Sequence, residues 1–375
     1  MDKIVFIPLK GGEDVGGSCY YLKLGNNHIL LDAGCKVNQG LVQHQDLEKL
    51  VIMGLIDSVK QISHIFISHA HFDHMGDLIN TMVKSDADVY MSKMSKLLCE
   101  YQLYDNVIYQ GEEHRLALQN CLEKIHTVSY LETKRFKDFK VTFYEAGHIP
   151  GAMMMLFEYK KRKILYTGDY AIDASALCGG CKLADNLNVD TMILCGLHAK
   201  QPSYQKNNHS IYNTIDEIYY QNTYLKKSIQ LKVGQSIKKI ELLALLNEKN
   251  IQSERKMKIY IDQEVMQMVN KLEEMNIPII KEKNYLYEKY INEPHILISN
   301  KNYFTQQYQI KNVDFTLHED FKQMEKFIKK VNPKYVYIVH CGKGDDEAFI
   351  QQHFANDLES ETYITFSKNQ EIYLL

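Results

Sequence analysis

The chain has 375 residues, two to three times the size of a typical single domain, which predicts one or two domains. With 45% hydrophobic and 24% charged residues, a disordered, collagen-like or coiled-coil protein is excluded. Apolar stretches fall well short of the roughly 18 residues of a membrane span. Met1–Pro8 lacks the anatomy of a signal peptide, and the eight scattered cysteines are typical of reduced thiols, so a cytoplasmic protein without membrane contact is expected. The formal net charge of −3 argues at first against a nucleic-acid partner.

Short strands dominate the first half of the chain. Asn26 and Asn27 predict a hairpin turn, and Gly76–Ser85 has a helical pattern. The predicted strands are Ile4–Pro8, Ser18–Leu24, His28–Asp32, Gln61–Ser68, Val141–Glu145, Ala152–Glu158 and Lys163–Thr167.

From about residue 196 the pattern changes to alternating helices and strands. The predicted helices are Asn213–Tyr224, Gln235–Asn250 and Gln263–Met275, and the predicted strands are Ser228–Val233, Met257–Ile261, Ile277–Ile280 and His295–Ser299. Such alternation predicts a small parallel α/β unit. A helix over Phe321–Lys330, a buried strand over Tyr335–Val339 and a C-terminal hairpin of Thr362–Phe366 with Glu371–Leu374 follow. We therefore predict one domain, residues 1–195 and 316–375, interrupted by an insert of residues 196–315.

The strongest chemical feature is a group of three histidines and one carboxylate within six residues, directly after a predicted strand. These residues are His69, His71, Asp73 and His74. Imidazole and carboxylate together suit zinc and similar divalent ions. On an extended backbone His69 and His71 point the same way, while Asp73 and His74 can turn toward a second ion. This density disfavours a merely solvated histidine loop.

Four further motifs also place a histidine or an aspartate at the end of a predicted strand. They are Asp32 in Leu30–Gly34, His148 after Gly147, Asp169 in Thr167–Asp169, and the late His340. In this order the motifs resemble the metallo-β-lactamase superfamily. The resemblance implies a four-layer αβ/βα sandwich.

The resemblance also implies a ligand set for two divalent ions, zinc with manganese as the alternative. His69, His71 and His148 would hold one ion, and Asp73, His74 and His340 the second, with Asp169 bridging them. Asp32 would support the loop of residues 69–74, the metal loop, without binding metal. Two such ions about 3.5–4 Å apart supply a hydroxide at neutral pH and stabilise an oxyanion.

A gap of 171 residues separates Asp169 from His340 and holds the predicted insert. In this respect the chain resembles the β-CASP nucleases, which include the cleavage-and-polyadenylation endonuclease and the bacterial J-type ribonucleases. Further similar segments, spread over nearly the whole chain, are Gly12–Cys19, Ala146–Ala152, Tyr166–Tyr170 and Gln230–Ser236. The resemblance implies that Asp73 and Asp169 orient the attacking hydroxide and that His318 donates a proton to the leaving oxygen.

Two departures from the β-CASP pattern leave alternatives open. Cys195 stands where the group has an acid, and the Gly-Met loop expected after His295–Ser299 is missing. A di-zinc ribonuclease acting on single-stranded RNA is the first reading. A hydrolase of another phosphoester or a small ester is the second, and a catalytically weakened subunit that binds RNA or a partner nuclease is the third. A homodimer is left open.

The net charge divides unevenly between the insert and the remainder. Residues 196–315 carry a net +4 and 11 of the 26 tyrosines, while the other residues carry a net −7. A basic, tyrosine-bearing insert that caps the metal site would suit single-stranded RNA through phosphate attraction and base stacking. The overall charge of −3 therefore does not exclude RNA as partner.

Overall fold

The structure is a computed structural model that describes two compact units. The described residues are 3–39, 41–105, 119–206, 208–234, 236–276, 285–287, 293–301, 308–357 and 362–375. The first unit comprises residues 1–173, 180–205 and 318–375, and the second comprises residues 174–179 and 206–317. None of the described helices combines the length and hydropathy needed to cross a bilayer.

A seven-stranded sheet forms one half of the first unit. In spatial order its strands are β21 (Tyr373–Leu374), β1 (Ile4–Lys10), β2 (Cys19–Leu24), β3 (Asn27–Leu31), β6 (Ile62–Phe66), β7 (Asp88–Ser92) and β8 (Ile125–Val128). Strands β21 to β3 pair antiparallel, as the predicted hairpin turn requires, and β3 to β8 pair parallel. A separate ribbon joins β4 (Lys36–Asn38) to β5 (Leu41–Gln43).

A second seven-stranded sheet completes this unit. Its order is β20 (Tyr363–Phe366), β19 (Tyr335–Val339), β13 (Thr191–Cys195), β12 (Arg162–Tyr166), β11 (Met153–Tyr159), β10 (Phe139–Glu145) and β9 (Thr133–Arg135). The strands from β20 to β12 pair parallel and those from β12 to β9 antiparallel. The strand predicted at Ala152–Glu158 is thus present as β11, and its three methionines are fully buried.

The core lies between the two sheets and is rich in aromatic residues. Phe6 and Phe66 of the first sheet pack in one cluster with Phe143 and Phe157 of the second. Because successive side chains of a strand point to opposite faces, the first sheet also buries a second apolar face. Helices α1 (Glu48–Ile52), α3 (Leu78–Ser85) and α4 (Lys93–Asp105) contribute to that second cluster.

The other sheet is covered in the same way by α8 (Phe321–Val331) and α9 (Glu347–Asp357). Helix α8 starts at a capping box, in which Asp320 accepts a hydrogen bond from Gln323, and it ends at Asn332 in the left-handed conformation. One apolar face of the helix is buried, through Phe321, Met324, Phe327 and Ile328. The layers run helix, sheet, sheet, helix, so the predicted αβ/βα sandwich is confirmed.

The second unit is a smaller parallel α/β structure, as the alternating pattern predicts. Its sheet has the order β16 (Tyr285–Tyr287), β15 (Ile259–Ile261), β17 (Ile296–Ile298), β14 (Ser228–Lys232) and β18 (Tyr308–Asn312), and every pair is parallel. The accompanying helices are α5 (Asn208–Thr223), α6 (Ser236–Gln252) and α7 (Gln263–Glu274). The strand predicted at Ile277–Ile280 lies outside the described residues.

The predicted C-terminal hairpin is wrong. Strand β20 pairs parallel with β19 in the second sheet, whereas β21 pairs antiparallel with β1 in the first. The intervening turn passes from one sheet to the other, and Gln370 donates its N–H to the carbonyl of Pro8 at 2.6 Å. Local turn residues predicted the change of direction but not the partner, which is set by distant strands.

Candidate metal centre

All seven predicted metal ligands lie just beyond the C-terminal ends of strands in the two sheets of the first unit. The loop that carries His69, His71, Asp73 and His74 follows β6 and includes the short helix α2 (Phe72–Met75). His148 follows β10, Asp169 follows β12 and His340 follows β19. Within the second sheet, strands β10, β12 and β19 end on the same side. The reason is that β10 runs in the direction of β12, and β12 is parallel to β13 and β19. The fold thus brings together residues up to 271 positions apart.

The first group of ligand atoms belongs to four buried side chains, His69, His71, His148 and Asp169, whose donor atoms lie within 4.8 Å of one another. His71 Nδ1 is 3.0 Å from His69 Nε2 and 3.3 Å from His148 Nε2. Asp169 Oδ2 is 3.7 Å from His69 Nε2 and 3.6 Å from His148 Nε2. Ser68 Oγ, 3.0 Å from His69 Nδ1, orients that ring.

Asp73, His74 and His340 form the second group, also within 4.8 Å of one another. Asp73 Oδ2 is 3.9 Å from His74 Nε2 and 3.8 Å from His340 Nε2. Asp169 Oδ2 is only 3.5 Å from His74 Nε2, so this one carboxylate reaches both groups. Its position is that of a bridging ligand.

Asp32 holds the metal loop from behind, as the resemblance implies. Its carboxylate accepts hydrogen bonds from the Ser68 N–H at 2.6 Å, the Ser68 hydroxyl at 2.8 Å and the Tyr166 hydroxyl at 2.5 Å. His74 Nδ1 is 2.7 Å from the same carboxylate, which leaves His74 Nε2 facing Asp169. Asp32 is fully buried and has φ +61°, a conformation that Asp and Asn tolerate better than other side chains.

Ser18 and Gly34 complete this support, and the sequence reading did not assign them a role. Ser18 Oγ is 3.0 Å from His340 Nδ1, so it orients the last ligand as Asp32 orients His74. Gly34 permits the chain after β3 to pass the metal loop, because a Cβ there would lie 1.8 Å from the carbonyl oxygen of Asp73. Ser18 lies within the segment Gly12–Cys19, which resembles the β-CASP nucleases. That resemblance was the sequence signal that could have pointed to a role for Ser18.

His318 lies beside the first group. Its Nε2 is 3.6 Å from Asp169 Oδ2, and its ring centroid is 4.7 Å from that of His148 and 5.9 Å from that of His340. Burial lowers the pKa of His318 to about 4, against the opposite effect of Asp169. The structure therefore brings this residue to the centre, while its role as a proton donor stays a prediction.

Cys195, at the end of β13, occupies the place of the missing acid. Burial, reinforced by Asp169 and Asp32, raises the pKa of its thiol well above the ordinary value, so the group is neutral. A neutral thiol near Asp169 thus stands where the β-CASP pattern has a carboxylate.

The charges and donors fit divalent metal. Although burial opposes it, the neighbouring His74 and His318 hold the pKa of Asp169 well below its ordinary value, so the carboxylate is ionised. Asp169 Oδ1 is buried with no hydrogen-bond partner among the described residues. His69 Nε2 and His71 Nδ1 are also too close for two bare lone pairs, and a cation between them removes that repulsion. This His/Asp cluster is able to bind metal.

Comparison with known families agrees with this geometry. Residues 12–190 match the metallo-β-lactamase superfamily, and residues 307–366 match the Zn-dependent metallo-hydrolase RNA specificity domain. Residues 12–190 thus form a metallo-β-lactamase superfamily domain. Six of the seven candidate ligands lie in the first match, and His340 lies with His318 in the second.

Two of three similar curated proteins are named as RNA nucleases. The chain is 35% identical over 179 residues to "Probable RNase MJ4" of Methanocaldococcus jannaschii, covering 46% of this chain and 40% of the relative. It is 26% identical over 209 residues to "Endoribonuclease ysh-1" of Neurospora crassa, covering 51% and 23%. It is 32% identical over 178 residues to "Cleavage and polyadenylation specificity factor 73" of Drosophila melanogaster, covering 45% and 25%. These relatives confirm the β-CASP resemblance, although the chain spans well under half of their length.

A solved structure supports the fold over the whole chain. The "Crystal Structure of a Protein of Unknown Function from Enterococcus faecalis V583" aligns with a TM-score of 0.66 at 12% sequence identity and covers 100% of both chains. At this identity the likeness concerns the fold alone.

Proposed function

We propose that the protein is a ribonuclease that hydrolyses phosphodiester bonds in single-stranded RNA with two bound divalent ions, zinc being the expected metal. The observation that carries the proposal is the convergence of both ligand groups on Asp169, with His318 beside them. The matches to an RNA specificity domain and to named RNases support RNA as the substrate.

The proposed chemistry divides between the metal and the protein. Two divalent ions, when bound, make water a nucleophile at neutral pH and stabilise charge on phosphate oxygens. Asp32 and Ser18 keep His74 and His340 in the tautomers whose Nε2 atoms face the centre. His318 would hydrogen-bond to the phosphate or leaving oxygen through Nε2, which is 3.6 Å from Asp169 Oδ2.

The second unit carries a surface that suits single-stranded RNA. Tyr220 and Tyr224 are about half exposed and stack on each other with centroids 5.5 Å apart. The Arg255 guanidinium lies 4.3 Å from the centre of the Tyr224 ring. Lys226 and Lys227 are exposed in the segment that follows Tyr224. Exposed aromatic rings among cations bind successive bases and phosphates without needing sequence recognition.

Cleavage assays separate this proposal from the two alternatives. Purified protein would be loaded with zinc and given labelled single-stranded RNA or bis-p-nitrophenyl phosphate. We expect RNA cleavage that is lost in Asp73→Ala and kept in the exposed control Asp46→Ala. Turnover of the small diester without RNA cleavage would instead support the second alternative. Metal and RNA binding without turnover of either substrate would support a weakened binding subunit, which the neutral Cys195 beside Asp169 favours.

RNA binding by the surface of Tyr220, Tyr224 and Arg255 can be measured separately from cleavage, in the presence of a metal chelator. Loss of one stacking base costs about 1–3 kcal/mol, so Tyr224→Ala should weaken binding of a short oligonucleotide roughly 5- to 150-fold. Tyr212→Ala is the matched control, because Tyr212 is 50% exposed on α5, the helix that ends just before Tyr224. Equal affinities of the two variants would show that this surface does not bind the RNA.

A further inference from the structure

A second cluster of metal-ligating side chains lies apart from the His/Asp centre. Cys35 follows β3, His44 follows β5 and Asp77 precedes α3. Their Sγ, imidazole nitrogen and carboxylate oxygen lie within 4.8 Å of one another. We propose that these three residues bind one divalent ion of the zinc type, in addition to the metal of the His/Asp centre.

The distances are close to those of a tetrahedral site. Cys35 Sγ is 4.0 Å from His44 Nδ1, and His44 Nδ1 is 2.7 Å from Asp77 Oδ1. Zinc bonds of about 2.3 Å to sulfur and 2.0–2.1 Å to nitrogen and oxygen place ligand atoms roughly 3.3–3.6 Å apart at tetrahedral angles. Shifts of about half an ångström would therefore seat the ion.

The hydrogen bonds around the cluster hold Asp77 in place and leave a conflict at His44. Asp77 Oδ2 accepts the backbone N–H of Gln45 at 2.6 Å, which fixes the carboxylate. Asn80 Nδ2 is 2.9 Å from Asp77 Oδ1 and 2.9 Å from His44 Nδ1. One ring nitrogen cannot both donate to a carboxylate and accept from an amide. A cation at the centre of the cluster satisfies both the ring nitrogen and the carboxylate.

Burial gives the site a closed base and an open mouth. Cys35 and Asp77 are each 1% exposed, whereas the His44 side chain is 43% exposed. Water can therefore occupy the fourth position, next to His44. Burial raises the pKa of the Cys35 thiol to about 12, and binding an ion would displace that proton. The Lys10 ammonium, bonded to the carbonyl of His44 at 3.0 Å, adds a positive charge that favours the thiolate.

The position of the cluster predicts a structural role. Asp77 donates its N–H to the carbonyl of Ala33, and Ala33 donates its own N–H to the carbonyl of His74, both at 2.8 Å. An ion shared by Cys35 and Asp77 would thus brace the segment after β3 against the metal loop. This role does not depend on the reaction that the His/Asp centre performs.

Cobalt substitution distinguishes the new site from the His/Asp centre, because only the new site supplies a sulfur ligand. The metal-free protein would be titrated with Co²⁺ and followed in the near ultraviolet for a thiolate-to-cobalt charge-transfer band. We expect the band to reach its maximum by three equivalents in the wild type, since two ions fill the His/Asp centre, and to disappear in Cys35→Ser. It should also disappear in His44→Ala, which changes an exposed side chain and is expected to fold.

Cys195→Ser is the matched control, since Cys195 is the thiol that contacts Asp169. We expect this variant to keep the band, and we expect His44→Ala to lose one equivalent of zinc. Absence of the band in the wild type, or its survival in Cys35→Ser, would overturn the proposal. Failure of the protein to cleave RNA would leave these spectra unchanged, so the two proposals fail separately.

Discussion

Replacing Asp32 by Asn should remove metal from the centre although Asp32 is not a ligand. In the wild type the carboxylate accepts from His74 Nδ1 at 2.7 Å, so in the metal-bound protein the Nε2 lone pair is left to bind the ion. Asn presents an N–H group in place of one carboxylate oxygen. A hydroxyl group such as that of Tyr166 can rotate to accept a hydrogen bond from this N–H group. The His74 ring can accept one at Nδ1 only in the tautomer that carries its proton on Nε2. A protonated Nε2 cannot bind metal.

The expected loss of stability follows from the same contacts. Removing one partner from a buried, hydrogen-bonded charged pair costs about 3–5 kcal/mol. Asp32→Ala should lower the free energy of unfolding by about that amount, plus roughly 1 kcal/mol because Ala is strained at φ +61°. Asp32→Asn keeps the shape and tolerates this backbone, so its cost should be about 2–3 kcal/mol, the value of one or two hydrogen bonds to a charged group.

Urea unfolding of the chelated proteins and metal analysis of the reloaded proteins test both expectations. Asp86→Asn is the control, because Asp86 also has a left-handed backbone but its side chain is 74% exposed and pairs with Lys124. Its unfolding free energy should match that of the wild type within the error of the measurement. If Asp32→Asn bound the full complement of metal and matched the wild type in stability, the proposed orientation of His74 would be refuted.

Three further substitutions test other parts of the account. Gly34→Ala would place its Cβ 1.8 Å from a backbone oxygen of the metal loop and should cost at least about 3 kcal/mol in urea unfolding, whereas Gly234→Ala, in open space, should cost under about 1 kcal/mol. Burial raises the pKa of Glu241 from 4.5 to about 7, so the contribution of this residue to stability should be complete below pH 4.5 and fall as the pH rises toward 7. Glu241→Gln should remove on the order of 3 kcal/mol of that decline, the exposed control Glu254→Gln should leave it in place, and identical pH dependences would contradict this reasoning. Cys195→Glu should raise the RNA cleavage rate several-fold over Cys195→Ser if an acid there assists the proposed proton donor, and equal rates would count against that assistance.

Much of the centre could be predicted because its signals are local. Four of the candidate ligands lie within six residues, namely His69, His71, Asp73 and His74. They directly follow a predicted strand, which places all four at the end of that strand. The parallel insert was predictable for a similar reason, since its helices and strands alternate with clear periods. Such patterns depend on neighbours in the chain and need no knowledge of the tertiary fold.

The remaining features depend on distant contacts that no spacing reveals. Ser18 acts on His340, 322 residues away, and its hydroxyl could equally have bonded to its own backbone. Cys35, His44 and Asp77 show no ligand-like interval, because a ribbon and two helices separate them. The hairpin error at the C-terminus has the same origin, since the turn was recognised while the two partner strands were not.

The central claim is that the His/Asp centre cleaves RNA only with metal bound, and reconstitution of one protein preparation tests it most directly. Chelated protein would be given a labelled single-stranded RNA, and cleavage would be followed as zinc or manganese is added back, in the wild type and in Asp73→Ala. The account predicts no cleavage by the chelated protein, recovery on adding metal to the wild type, and no recovery in Asp73→Ala. Undiminished cleavage by the chelated protein, or equal recovery in Asp73→Ala, would contradict it.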